Sequence, residues 1–365
     1  MDFPKSSSGS PAILSLFVAA VLLSICICLS LVSKPFFLSF QDPKCSLPNP
    51  SSVAAEIYPR DELEEALRSA ATADKTVIIA VVNRAYAEGD DGRAAMLDLF
   101  LESFWVGEGT QELVEHLLVV AMDQTAYGRC KFRRLHCYRL ETEGVDFGGE
   151  KLYMSEDFIK MMWQRTLFLS DVLRRGYNFV FTDTDIMWLR NPFLRLSNNE
   201  SEDLQISTDE FIGDPWSETN LINTGFYCVR SNNRTISLFD RWYAAKDNST
   251  AAGKKEQDVL LDLMSGGALR ELRLRVRFLD TLYFSGFCED SRDMAAVTTV
   301  HANCCQSIIA KVADLGVVLR QWKQMKKYLR SMTAAAARNG TAVAVPWGGR
   351  ERHPACLNSW IKKAN

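Results

Sequence analysis

The chain has 365 residues, 47% of them hydrophobic, and its 42 Lys and Arg against 45 Asp and Glu give a formal net charge of −3. That length holds one large α/β domain or two ordinary ones, and the apolar content allows a sizeable core. A near-neutral balance offers no electrostatic handle to a polyanion, so nucleic acid is not an expected partner.

Ala12 to Val32 is a run of 21 residues without a charge, enough to cross a bilayer as a helix. A cleavable signal peptide has a shorter apolar region and small residues at its cut site. This run leads into Lys34-Pro35 and reads as a retained signal-anchor. The expected layout is a cytoplasmic tail over 1–11, a transmembrane segment over 12–32 and a stem over 33–60 rich in Pro, Ser, Asn and Lys. One large domain over 61–340 and a tail over 341–365 follow. Charges flanking the span do not fix its orientation, since Lys5 and Asp2 precede it and Lys34 follows. Other features place the large part in a lumenal or extracellular space. Asn199-Glu200-Ser201, Asn233-Arg234-Thr235, Asn248-Ser249-Thr250 and Asn339-Gly340-Thr341 are N-glycan acceptor sequons. Beyond the span lie Cys45, Cys130, Cys137, Cys228, Cys288, Cys304, Cys305 and Cys356, an even set that fits disulfides without choosing among their connectivities. No C-x-x-C pair is present, so a structural zinc site is not expected.

Asp61 to Ala73 has the spacing of a short amphipathic helix, with Leu63, Ala66, Leu67 and Ala70 on one side. Thr76 to Val82 (TVIIAVV) reads as a buried strand ending at Asn83, and Ala94 to Val106 as a helix. A second apolar strand, LLVVAM, ends at Asp123. Two strands that finish on a polar residue fit a doubly wound sheet with a site along one edge, although Asn83 and Asp123 also suit ordinary turns. Gly128 to Gly149 reads as a loop, closed by Cys130 and Cys137 if these are bonded. Ser155 to Arg175 is a strong helix signal: Ser155 at the N-cap, Glu156 and Asp157 in the first turn, Gly176 as the stop. Phe158, Met162, Leu169 and Val172 mark its buried face. Lys160 and Arg165 fall on other faces, either solvated or able to reach a diphosphate beside the helix.

That helix delivers the chain into Tyr177–Phe193, YNFVFTDTDIMWLRNPF. A buried strand stops at Asp183-Thr184-Asp185, and two carboxylates are costly to bury unless something cationic meets them. A divalent cation carrying a diphosphate satisfies both; a cap and a solvated acid is the alternative. Further on, Leu204 to Thr208 fits a strand. Leu221 to Arg230 is a strand interrupted by Asn223-Thr224-Gly225, where Gly admits a close backbone approach and Asn or Thr can bind a ligand hydroxyl; a β-bulge explains it equally. Ile236 to Ala245 is helical. Glu256-Gln257-Asp258 precedes an apolar helix and fits N-terminal capping. Arg270 to Phe278 alternates like an edge strand. In Val300-His301-Ala302-Asn303, His301 is a candidate third ligand beside the two acids, a set that suits Mn²⁺ better than Mg²⁺. Ser307 to Met332 is a long helix carrying Lys311; the last stretch has no legible element.

This order, with FVFTDTDIMWLRNPF, INTGFYCVRSN, KKEQDVL and VHANCC, resembles the plant nucleotide-diphospho-sugar transferases of glycosyltransferase family 77 from about Thr76 to Trp322. The resemblance implies a GT-A-type fold, α/β with a Rossmann-like mixed sheet flanked by helices. It also implies a retaining, metal-dependent transferase working in the Golgi as a type II membrane protein on cell-wall polymers or glycoproteins. Asp183, Asp185 and His301 would hold the metal, and Asp183 also the nucleotide diphosphate. Asn83 and Asp123 would lie near the nucleoside, Asn223 and Thr224 in the sugar pocket, Gln257 and Asp258 beside the anomeric carbon. Lys311 would pair with a phosphate, although its spacing from His301 is longer than in related families. The donor would be a UDP-sugar, with a pentose favoured because assigned members transfer xylose or arabinose.

Retention requires either a carboxylate nucleophile, for which Asp258 is available, or same-face attack with the departing phosphate taking the acceptor's proton. Two other classes fit parts of the pattern. Haloacid-dehalogenase-type phosphatases also follow a strand with D-x-D, but near the domain's start and with Thr or Val next, where this chain has Ile186. An anchored, inactive glycoprotein scaffold need not keep D-T-D and the late His.

Overall fold

The computed structural model describes residues 61–89, 92–142, 146–151, 153–247, 253–339 and 353–361. The expected anchor at 12–32, its flanking tail and stem, Cys45, the 248–250 sequon and residues 340–341 of the last one lie outside these. No helix among the described residues is long and apolar enough to cross a membrane.

Asp61 caps helix α1 (Glu62–Ala70) by accepting from the Glu64 N–H, and Leu63, Leu67 and Ala70 form its buried side. Strand β1 (Thr76–Val82) follows, then a single turn, α2 (Arg84–Ala87), α3 (Met96–Val106) and β2 (Leu117–Ala121). The stretch read as a loop is instead a helix and a strand, α4 (Gln124–Phe132) and β3 (His136–Arg139), joined by the Cys130–Cys137 disulfide. β3 has the polar sequence HCYR and only one neighbour, β2, so no apolar run announces it. Helix α5 (Glu156–Arg174) starts at Ser155, whose hydroxyl accepts from the Phe158 N–H, and stops where Gly176 takes φ +80°. β4 (Asn178–Thr182), β5 (Ile186–Trp188), β6 (Leu204–Glu210), β7 (Leu221–Val229), α6 (Asn233–Ala244) and α7 (Glu256–Ser265) come next. The predicted edge strand at 270–278 divides into a short helix, α8 (Ala268–Glu271), and a three-residue strand, β8 (Val276–Phe278). β9 (Phe284–Gly286), β10 (Thr299–His301) and α9 (Ile308–Asn339) follow. The expected tail contains one more helix, α10 (Pro354–Ile361), bonded back to the domain through Cys305–Cys356.

Seven strands form a mixed sheet in the order β3-β2-β1-β4-β7-β6-β8. The pairs β1–β2, β1–β4, β2–β3 and β6–β8 are parallel; β7 runs antiparallel to both β4 and β6. Side chains of β1 alternate between the two faces. Val77 and Ile79 pack with Leu67 of α1, Leu169 of α5 and Phe239 of α6, while Ile78, Ala80 and Val82 pack with Phe100 of α3 and Trp322 of α9. The architecture is therefore α/β with helices on both faces of a parallel-rich sheet. A second, three-stranded sheet in the order β5-β10-β9 grows from the end of β4. It matters for function, because antiparallel pairing of β10 with β5 sets His301 opposite Ile186, one residue from Asp185.

Candidate active site

The chain leaves β4 at Thr182 and re-enters a strand at Ile186, so Asp183 and Asp185 sit on the turn between the two sheets. The Asp183 N–H donates to the Gly225 carbonyl at 2.7 Å, and the Asp185 carbonyl accepts from the Ala302 N–H at 3.0 Å. These bonds fix the turn against β7 on one side and the end of β10 on the other. His301 Nε2 lies 3.4 Å from Asp185 Oδ1 and 3.9 Å from Asp183 Oδ2. One ligand atom from each of the three side chains falls within 4.8 Å of the others. Gly225 makes this possible: a Cβ there would stand 2.8 Å from Asp183 Oδ2 and would strike His301 Cε1.

Two cations offset these acids, of which Asp185 is buried and Asp183 half-buried. Lys311 Nζ donates to Asp185 Oδ2 at 2.7 Å. Arg165, itself buried, spans Asp183 Oδ1 at 3.0 Å and Glu256 Oε1 at 2.6 Å. Burial would raise Asp185, but Lys311 and His301 beside it outweigh this and hold its carboxyl below the usual range. Asp183, low in the cavity wall, is pushed up by desolvation to about 6 against the pull of Arg165. Burial opposes the charge on Lys311 as well, but Asp185 more than compensates and the ammonium's pKa is raised.

A cavity of about 250 Å³ opens above this floor. One wall is a hydrogen-bonded polar network. Gln257 Oε1 accepts from the Thr224 N–H at 3.1 Å, and the Thr224 hydroxyl donates to Glu256 Oε1 at 2.8 Å. Asp209 Oδ1 accepts from Asn223 Nδ2 at 2.8 Å and Asn303 Nδ2 at 2.7 Å. Glu256 Oε2 is buried without a hydrogen-bond partner. Asp209, Glu256 and Asn303 were not singled out from sequence. Their signals were present, since Asp209 closes a strand as Asn83 does, Glu256 stands in E-Q-D and Asn303 in V-H-A-N. Tyr86, Met161 and Met162 line the cavity toward the ends of β1 and β2.

Other expected residues stand elsewhere. Asp258 does not line the cavity. At about 100° per residue, a helix that aims Glu256 and Gln257 inward turns Asp258 away. Asp123 also lies off the cavity: its Oδ1 caps α4 through the Ala126 N–H, and Oδ2 accepts from the Arg84 N–H at 2.6 Å. Asn83 lines the cavity, yet its amide donates to the Phe147 and Gly149 carbonyls and its oxygen accepts from the Tyr86 N–H, which leaves little for a nucleoside. Lys160 is exposed and paired with Glu156 one turn back. On α5, Phe158 and Met162 face the cavity rather than the core, and Arg165 is neither solvated nor free to seek a phosphate. Cys130–Cys137, Cys288–Cys304 and Cys305–Cys356 are bonded, whereas Cys228 is a free thiol that burial pushes up to about 12.

The sequence profile of the nucleotide-diphospho-sugar transferases matches residues 112–315, more than half of the chain. An Arabidopsis thaliana protein described as uncharacterized is 61% identical over 272 residues, covering 74% of this chain and 80% of the relative. A second Arabidopsis thaliana protein, also uncharacterized, is 39% identical over 300 residues, covering 82% of this chain and 74% of the relative. Beta-arabinofuranosyltransferase RAY1 of Arabidopsis thaliana is 25% identical over 237 residues, covering 61% of this chain and 41% of that protein. A sheet whose strand ends carry two acids, an imidazole and a polar wall is thus matched by sequence along most of its length, and the chain belongs to the nucleotide-diphospho-sugar transferase family, as a glycosyltransferase.

Proposed function

We propose that this glycosyltransferase is a retaining, Mn²⁺-dependent enzyme that moves a pentose from a UDP-sugar to a cell-wall polysaccharide or glycoprotein, as a type II protein of the Golgi membrane. The observation that carries the reading is the convergence of Asp183, Asp185 and His301 at the floor of a cavity with a polar wall. The pentose rests on similarity to an arabinofuranosyltransferase. The lumenal setting rests on the uncharged run at 12–32, the sequons and the disulfides.

The donor set fits a divalent cation. Two carboxylates and an imidazole make an oxygen-rich site with one nitrogen, and Gly225 keeps its approach clear of a Cβ. Asp183, Asp185 and His301 would hold the ion, whose Lewis acidity neutralises charge developing on a diphosphate leaving group. Lys311, charged and beside Asp185, stands ready to pair with phosphate oxygens as the anomeric C–O bond breaks. Glu256 Oε2 is buried behind the cavity surface without a partner, and Oε1 is held by Arg165 and Thr224. An acid neutralised by a buried guanidinium is a poor nucleophile, and Asp209 is engaged by three amides, those of Asn223, Asn303 and Gln257. This favours same-face attack, with a departing phosphate oxygen taking the acceptor's proton.

The test is calorimetric titration of the purified protein with UDP, with and without Mn²⁺, together with a hydrolysis screen over UDP-xylose, UDP-arabinofuranose, UDP-galactose and UDP-glucose. Metal-dependent UDP binding, and hydrolysis of a UDP-pentose that disappears with EDTA and in Asp185→Ala, is the expected result. Preference for a hexose donor would overturn the pentose assignment, and absence of UDP binding with any divalent cation would overturn the site.

A further inference from the structure

Two aromatic rings at the cavity mouth have no part in the donor chemistry above. Tyr153 and Trp360 both line the cavity, edge to face, with ring centroids 6.4 Å apart and planes at 67°. Trp360 is 44% exposed, so part of its ring is open to the solvent at the cavity. Its indole N–H is already spent on the Cys304 carbonyl at 2.8 Å, so what it can offer a ligand is a π face.

The positions of both rings are built in. Trp360 belongs to α10, which the Cys305–Cys356 disulfide ties to the segment just after His301. Buried Asp314 caps the start of that helix, accepting from the Cys356 N–H at 2.8 Å, and the Ser359 hydroxyl accepts from the Gln306 N–H at 3.1 Å. Tyr153 packs on Phe158 at 5.5 Å and lies under Lys255, whose Nζ is 5.4 Å from the ring centroid. Trp360 is thus fixed to the segment that follows Asn303, and Tyr153 lies by Lys255, the residue before Glu256. The pair bridges the two chain segments that form the polar wall.

The geometry points to Tyr153 and Trp360 as an acceptor platform, on which a sugar ring of the acceptor glycan stacks its apolar C–H face while its hydroxyls turn toward the polar wall. The Cys305–Cys356 bond holds the platform in place. A sugar ring suits this site because it has one face without hydroxyl groups and polar edges, the mirror of a π surface next to Asp209, Gln257 and Asn303. This inference rests on the reading of the cavity as a nucleotide-sugar site.

The full chain and its Trp360→Ala, Tyr153→Ala, Trp360→Phe and Leu357→Ala variants are compared in three measurements. These are UDP binding with Mn²⁺, hydrolysis of the preferred UDP-sugar in water, and transfer to methyl glycosides and short oligosaccharides of arabinose, xylose and galactose. Leu357 is exposed on the same helix and serves as the folding control. Trp360→Ala and Tyr153→Ala are expected to raise the acceptor KM about three- to tenfold, the scale of a lost aromatic stacking contact. UDP affinity and hydrolysis should change by less than about twofold in the same variants, because each tenfold step is about 1.4 kcal/mol and no donor contact is removed. Trp360→Phe should recover most of the transfer, and Leu357→Ala should match the parent chain. Weakened UDP binding in Trp360→Ala would assign the rings to the nucleobase and overturn the platform. So would unchanged acceptor KM, or a parent chain that uses none of these acceptors better than water. If the parent chain neither binds UDP nor hydrolyses a UDP-sugar, the nucleotide-sugar site itself fails, an outcome distinct from these.

Discussion

Arg165 ties together two carboxylates from distant parts of the chain. It is 4% exposed, stacks its guanidinium over Phe181 at 4.7 Å and joins Asp183 on the inter-sheet turn to Glu256 on α7. Reading it as a solvated charge or a phosphate ligand missed that role, because one sequence does not show that Glu256 lies across the fold from it. Removing the guanidinium leaves the buried Glu256 without its cation and takes from Asp183 the partner at its Oδ1. Arg165→Met should lower stability by about 3–5 kcal/mol, measured as a reduced denaturant midpoint at constant slope, in line with a broken buried ion pair. A change below about 1 kcal/mol would mean the pair is far better solvated than its burial indicates. Gly225 makes a separate point, since its φ is not positive and its role is clearance alone. Gly225→Ala pushes a methyl toward His301 and Asp183. It should weaken Mn²⁺-dependent UDP binding by about 10²-fold, the cost of displacing a reacting group by about an ångström, with overpacking destabilising the fold by about 1–3 kcal/mol. Calorimetry of the variant beside the parent checks both.

At the scale of elements, the sequence was legible where hydrophobicity is dense. TVIIAVV and NFVFT announced β1 and β4, and the capped helix between Ser155 and Gly176 was bounded to within a residue. Elements held by pairing rather than apolar periodicity were not legible: β3 is four polar-leaning residues, β8 and β10 are three residues each, and α10 depends on a disulfide and Asp314. The same blindness misassigned Asp123. Its position at the end of β2 fits a ligand-binding edge, but both its oxygens are spent on backbone N–H groups that start α4 and hold α2. Asp123→Ala should therefore cost about 1–2 kcal/mol of stability through the lost cap and leave UDP affinity within about twofold. A drop in UDP affinity without loss of stability would return Asp123 to the nucleoside. Asp258 yields the matching contrast within α7: Glu256→Gln should cut turnover on the order of 10²-fold, whereas Asp258→Asn should change it little, because only the first side chain faces the cavity.

For the whole molecule, the two acids and the late imidazole stood out from the residues alone, but their meeting depends on β10 pairing antiparallel with β5, which no local pattern encodes. The proposed lumenal setting can be tested through features the fold does display. Asn199 lies exposed on the connection between β5 and β6, and Asn233 is exposed at the start of α6, although the Thr235 of its sequon is buried in a capping box with Asn232. The Cys305–Cys356 bond closes a separation of 51 residues, for which chain entropy gives about 4 kcal/mol of stabilisation. A protein made in an oxidising secretory compartment should therefore carry N-glycan at Asn199, seen as a gel shift on treatment with an N-glycosidase and reduced in Asn199→Gln. Its unfolding midpoint should fall sharply on addition of a thiol reductant, and Cys356→Ser should reproduce most of that fall. Cys228, whose thiol burial holds up to about 12, should stay unalkylated at pH 8 until denaturant is added, which separates loss of a disulfide from modification of a free cysteine. Absence of any glycosidase shift, with stability indifferent to reductant, would overturn the proposed lumenal setting.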